Sequence, residues 1–124
     1  VTEPKKKPRR RVHVAKEADK LFAFLVRSVG ECQAHDGRPC AGALQCAHGF
    51  SRSYHAVRWN ERNAWALCQG HHLYYTHRPL EWTDWMVVRL GQKNYDDLRA
   101  KALSHDKVDL PELVEKLREQ TKDL

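Results

Sequence analysis

Apolar residues first recur at helical spacing in residues 16–29, where Leu21, Phe22, Leu25, Val26 and Val29 make one face of a predicted helix. Gly30 follows where a helix C-cap belongs. Residues 31–45 carry Gly37, Pro39 and Gly42 and read as loop. Residues 43–48 and 54–59 predict two short strands around a polar turn. A second helix starts near Gly70, carries His71 to His77 and stops before Pro79. Residues 81–90 fit a third helix ended by Gly91, and 94–104 a fourth with Tyr95, Leu98 and Ala102 on one side. Asp109 and Glu112 stand at capping-box spacing, with Pro111 in the first turn. They open a last helix over 110–122 whose stripe is Leu113, Val114 and Leu117. A short hairpin among helices predicts the α+β class, and no internal repeat interrupts it.

A chain of 124 residues predicts one domain with a small core that a metal can reinforce. Its net charge is +6. Lys5, Lys6, Lys7, Arg9, Arg10, Arg11 and Lys16 face a single acid, Glu3, in the first 16 residues, so that segment carries the whole excess. The other 15 bases and 15 acids cancel, which excludes a globally basic coat. Residues 1–15 therefore read as a basic flexible arm, either a solubilising tail or a set of phosphate contacts. Residues 16–124 read as the domain, with a core at 31–80 and a helical part at 81–124. No apolar run is long enough for a membrane span. No apolar stretch follows the basic start, so it does not read as a secretory signal.

The chemistry lies between residues 32 and 77, which hold all four cysteines and six of the eight histidines. Cysteines mixed with histidines favour metal over disulfide and predict a soluble, reducing compartment. Cys68 and His71 form a Cys-x-x-His pair, whose short turn lets both side chains reach one ion. Cys32 and Cys40 complete a predicted structural zinc site, with His35 competing for the place of Cys40. Cys46 reads as a small buried residue. Such a zinc pins the 32–40 loop onto the start of the helix at 70.

The order Ala47-His48-Gly49-Phe50-Ser51-Arg52, then Asn63-Ala64-Trp65-Ala66-Leu67-Cys68 with His71 and His72, resembles the HNH endonuclease motif. The surrounding sequence is similar to the phage-borne branch that includes NinG-type recombination nucleases. The resemblance covers residues 31–80. It departs from the family at His71, which stands for the second Cys of a Cys-x-x-Cys, and at Ala47, which stands for a common metal-binding Asp. It implies a ββα-metal (His-Me finger) core, flanked here by an N-terminal helix and C-terminal helices. It also implies a DNA phosphodiester hydrolase with a one-metal mechanism, phage or prophage derived. By resemblance His48 is the general base, Asn63 orients the loop or the base, and His72 is a metal ligand. With Ala47 in place of Asp, His48 is alternatively a ligand itself.

His77 is the candidate second ligand beside His72, and His55 a weaker one. A His-rich, carboxylate-poor catalytic site suits Zn, Ni, Mn or Co better than Mg. Arg52 and Arg58 are the candidates for the scissile and neighbouring phosphates, since Arg forks onto phosphate. Trp59 and Trp65 read as core, and of Tyr74 and Tyr75 one reads as core and one as DNA-facing. Trp82, Trp85 and Met86 read as monomer core rather than as a dimer face, with monomer and homodimer both open. The expected partner is DNA, branched or junction DNA included, and the expected compartment is the bacterial host cytoplasm if the chain is phage encoded. Residues 30–80 are slightly positive and 81–124 slightly negative, so the active-site half is expected to face phosphate and the helical half is not. The alternative function is a non-catalytic, zinc-binding DNA-binding module.

Overall fold

The computed structural model describes residues 10–124. Lys5, Lys6, Lys7 and Arg9 of the predicted arm lie outside the described residues. The described residues form a two-stranded antiparallel sheet and five α-helices, a mixed α+β architecture.

Helix α1 spans Arg11–Arg27, five residues earlier at its start than the apolar spacing predicts. Residues 11–15 are therefore helix rather than arm. Val14 and Ala15 pack against the same core as Phe22, so tertiary burial extends the helix up to the edge of the basic segment. Ser28 is the C-cap, and Gly30 takes the left-handed turn that leads the chain away (φ +81°).

Strand β1 (Leu44–His48) pairs with β2 (Ala64–Cys68), Leu44 opposite Cys68 and His48 opposite Ala64. The predicted second strand at 54–59 is a correction. That segment is a loop with a 3-10 turn at His55–Val57, and a second such turn follows at Glu61–Asn63. Asn63 accepts the Phe50 amide and donates to the Phe50 and Val57 carbonyls, so side-chain bonds take backbone groups a ladder would need. All five β2 residues are buried, which erases the alternation that marks a half-exposed strand.

The sheet is the middle layer. On one face α1 packs on α5 (Leu110–Thr121), joining Ala18 and Phe22 to Leu110, Val114, Leu117, Trp59 and Ala64. On the other, Ala47, Trp65 and Leu67 meet α2 (Gln69–Thr76) and α3 (Pro79–Leu90) through Tyr75, Met86, Trp82 and Trp85. The tryptophans stack there at 4.9 Å between Trp82 and Trp85. Trp82, Trp85 and Met86 thus belong to the core of the chain itself.

Pro79 both limits α2 and opens α3 from its first turn. Helix α4 (Gln92–Leu103) follows after Gly91 alone (φ +85°) and covers the 49–63 loop through Leu98, Ala102 and Val57. Asp109 caps α5 by accepting the Glu112 amide at 3.1 Å. No described helix is long and apolar enough to cross a membrane.

Candidate functional site

Three segments bring Cys32, Cys40, Cys68 and His71 together. Gln33 docks the first loop on β2, donating its amide to the Ala66 carbonyl (2.8 Å) and accepting the Ala66 amide on its side chain (2.9 Å). This sets Cys32 beside Cys68, whose amide donates to the Cys32 sulfur at 3.3 Å. Gln69 and Gly70 donate to the Ala43 and Ala41 carbonyls, both at 2.9 Å, and so draw the Cys40 end of the loop over the start of α2. A Cβ on Gly70 would lie 3.3 Å from that of Ala41, so the close approach uses the glycine. Cys68 is the N-cap of α2 and accepts the His71 amide at 3.4 Å.

The four ligand atoms lie within 4.8 Å of one another. His71 Nδ1 faces the sulfurs of Cys68 at 3.0 Å, Cys32 at 3.5 Å and Cys40 at 3.8 Å. Three sulfurs and one imidazole nitrogen at such spacing are a donor set that can hold a metal such as zinc. His35, the competing ligand, is outside this group, as is Cys46. Cys46 sits on β1 against the α1 core instead, and burial pushes its thiol up to about 11.

Asp36 completes the arrangement, and the ligand spacing gave no hint of its role. Its Oδ1 accepts His71 Nε2–H at 2.8 Å, which fixes the tautomer that leaves Nδ1 as a lone pair for a metal. Tyr75 donates to the other oxygen at 2.8 Å, and the Arg38 amide and guanidinium each donate at 3.0 Å. Burial opposes ionisation of Asp36, but the Arg38 amide, Tyr75 and His71 outweigh it and hold the carboxyl at about 2. Burial likewise opposes the Cys68 thiolate, and the His71 and Ala41 amides with the His71 ring bring it down to about 6. Desolvation and the neighbouring Cys32 and Cys68 sulfurs push Cys40 up to about 11. The only sequence signal for Asp36 is that it is the sole acid between Cys32 and Cys40.

A second centre lies at the other end of the hairpin. His48 ends β1 and its Nε2–H donates to the Arg58 carbonyl at 2.9 Å. A carbonyl only accepts, so the neutral ring carries its proton on Nε2 and leaves Nδ1 as a base. Burial, helped by the Arg52 and Arg58 charges, lowers the His48 pKa below its ordinary value against the opposing pull of the Arg58 carbonyl and Asp19. The ring also packs on Phe22, with centroids 5.9 Å apart. The hydrogen bonds of the fully buried Asn63 side chain go to Phe50 and Val57, in the loop whose Arg58 carbonyl holds His48.

His72 on α2 donates Nδ1–H to the Gln45 side-chain oxygen at 2.7 Å, which leaves Nε2 as the lone-pair nitrogen. Burial lowers its pKa as well. His48 and His72 line one cavity of about 170 Å³ together with Ser51, Thr76 and Trp82. His77 does not line it. It is exposed at the C-cap of α2, and a five-residue step turns it about 140° from His72 around the helix. Among the described residues, the one group of three or more His, Cys, Asp or Glu ligands is the Cys3His cluster, so His48, His72 and His77 do not form a three-ligand set.

Arg52 and Arg58 both turn to Asp19 on α1. Arg52 pairs with its Oδ2 at 2.8 Å, Arg58 donates to Oδ1 at 3.0 Å and Oδ2 at 2.5 Å, and the Trp59 indole donates at 2.9 Å. The Arg58 side chain is 16% exposed and the Arg52 side chain 58%. Arg58 is thereby a structural clamp in this conformation, while Arg52 keeps an open face. Arg10 and Arg11 are exposed at the start of α1. Of the tyrosines, Tyr75 is buried and Tyr74 lies between the guanidinium groups of Arg38 and Arg78, at 3.5 and 3.9 Å from its ring.

No protein-family model, curated protein or solved structure matches the chain.

Proposed function

We propose that the chain is a metal-dependent DNA endonuclease of the HNH type, with β1, β2 and α2 as its ββα-metal core and the Cys3His group as its structural zinc site. The observation that carries this reading is the cavity shared by His48 and His72, each with one nitrogen tied and one left free. A neutral imidazole of lowered pKa is suited to take a proton from water at neutral pH. In this reading His48 Nδ1 deprotonates the water that attacks the phosphodiester. Asn63 keeps the loop in place that holds the His48 ring, and His72 Nε2 is a ligand for the catalytic cation. That cation, Zn, Ni, Mn, Co or Mg, supplies charge neutralisation at the phosphate and the leaving 3′ oxygen. Arg52 is the side chain of the original pair still open enough to reach a phosphate.

A second reading is a non-catalytic zinc module that binds DNA. It is favoured by the single three-or-more-ligand group among the described residues and by Ala47, which offers no carboxylate beside His48. Metal counting by native mass spectrometry, with nicking assays on supercoiled, linear and branched DNA across Mg, Mn, Co, Ni and Zn, separates the two. The nuclease reading expects one retained zinc, cleavage that needs a further divalent ion, and loss of that cleavage in His72→Ala without loss of the zinc. One zinc per chain, DNA binding and no cleavage with any ion would establish the module instead.

A further inference from the structure

Outside the metal centre and the histidine cavity, three concave features of the described residues lie together on one side. Three open depressions of about 470, 400 and 260 Å³ are formed by α1, the 49–63 loop, and α4 and α5 with their connection. They are contiguous. The first two share Trp59, the last two share Arg11 and His55, and the first and third share Ala56 and Val108.

Their walls carry Arg11, Lys16, Arg62, Lys101, Lys107 and Lys116. All six are exposed, and none makes an ion pair with a described residue. The acids in the same walls are fewer. Asp19 is already held by Arg52 and Arg58, Glu61 accepts from Gln120 at 3.2 Å, and Asp106 is the third. Like charges gathered on a concave face repel one another and focus a positive potential outward, and a polyanion relieves both.

We propose that this concave face binds a DNA backbone. The proposal rests on the nuclease reading in taking DNA as the polymer. Two features favour that occupant over a small anion or an acidic protein. The depressions run on into one another, so the cations line a track rather than a single pocket. The loop that walls the track also supplies the Arg58 carbonyl that holds His48, and its Gly49 and Ser51 line the histidine cavity, so one loop borders both features. Arg11 stands on the rim, and the sequence just before it carries Lys5, Lys6, Lys7, Arg9 and Arg10. The helical half, slightly acidic as a whole, nevertheless presents Lys101, Lys107 and Lys116 on this one face. On this proposal the helical half also faces phosphate.

The test is fluorescence anisotropy of a labelled DNA duplex with the zinc-loaded full chain, without a second divalent ion, over a salt series. The variants are Lys101→Glu with Lys116→Glu, and Lys93→Glu as a control on α4 outside the track. Zinc content and thermal midpoint confirm that each is folded. The track predicts that the double variant binds at least about tenfold more weakly near 0.1 M salt, with a salt slope smaller by about two. Lys93→Glu should leave both unchanged. Equal affinity of the double variant and the parent would overturn the track while leaving the nuclease reading to its own cleavage assay. Poly-glutamate displacing DNA as well as unlabelled duplex does, charge for charge, would also overturn it in favour of an acidic protein partner. Absence of DNA binding by the parent at low salt refutes the track outright, whatever the cleavage assay returns.

Discussion

Replacing Asn63 with alanine removes the side chain that closes the 15-residue loop between β1 and β2. Asn63 has no exposed surface, and its amide makes three bonds, 2.7 Å from the Phe50 amide and 3.0 and 3.1 Å to the Phe50 and Val57 carbonyls. Water has little access to the backbone groups left behind. Each unpaired group costs about 1 kcal/mol or slightly more. The variant should therefore lose about 3–4 kcal/mol, a large share of the roughly 5–15 kcal/mol that holds a domain together. Urea unfolding of the zinc-loaded protein at pH 7 measures it. With a slope of about 1–3 kcal/mol per molar, the midpoint falls by about 1–4 M. Asn60, which only caps the Arg62 amide at 2.9 Å, is the internal comparison and should cost about 1 kcal/mol on alanine substitution. The His48 ring should report the same event by NMR titration. Its pKa, lowered by burial, should rise towards 6.5 as the loop loosens. A loss below about 1 kcal/mol for Asn63→Ala, or an unmoved His48 titration, would refute the view that Asn63 sets the loop and through it the histidine.

Gly49→Ala should destabilise by about 1–3 kcal/mol, because a Cβ there would lie 2.7 Å from Met86 Sδ, 2.8 Å from Asn63 Oδ1 and 3.1 Å from the Trp65 ring; an unchanged thermal midpoint would contradict the packing. Asp36→Asn should weaken zinc binding about 10–100-fold in competition with a chromophoric chelator, since it removes the carboxylate that orients His71, and unaltered affinity would remove Asp36 from the site. For Asp19, burial alone would raise the pKa, but Arg58, Arg52 and Trp59 outweigh it and lower it below 3.8. Its stabilisation is then complete above pH 3.8 and lost as pH falls through the folded value. Asp19→Asn should be less stable than the parent at pH 7, with the gap closing below pH 3.8; a gap that is constant with pH would contradict the ion-pair origin.

The parts of the fold that announce themselves in the sequence are those with local chemistry. Pro79, Gly91, and Asp109 with Glu112 mark helix limits that the structure keeps to within a few residues. Cys68 and His71 are legible because a metal pair three residues apart is a local geometric requirement. What escapes is what depends on tertiary partners. The first turn of α1 reads as part of a basic arm because it follows directly on the bases at 5–11, and only packing on the α5 core makes it helix. Strand β2 hides because burial on both faces removes its alternation. Asp19 and Asp36 are ordinary acids in sequence, and their roles arise only when folding delivers Arg52, Arg58 and Trp59 to one and His71, Tyr75 and Arg38 to the other.

The proposal that this chain cuts DNA with His48 as base is tested most directly by nicking of supercoiled plasmid, parent against His48→Ala, each carrying its zinc and supplied with the divalent ion that best supports the parent. The account predicts a fall of about 10²–10⁴-fold in rate with zinc content unchanged. Cleavage by His48→Ala at the parent rate would contradict it.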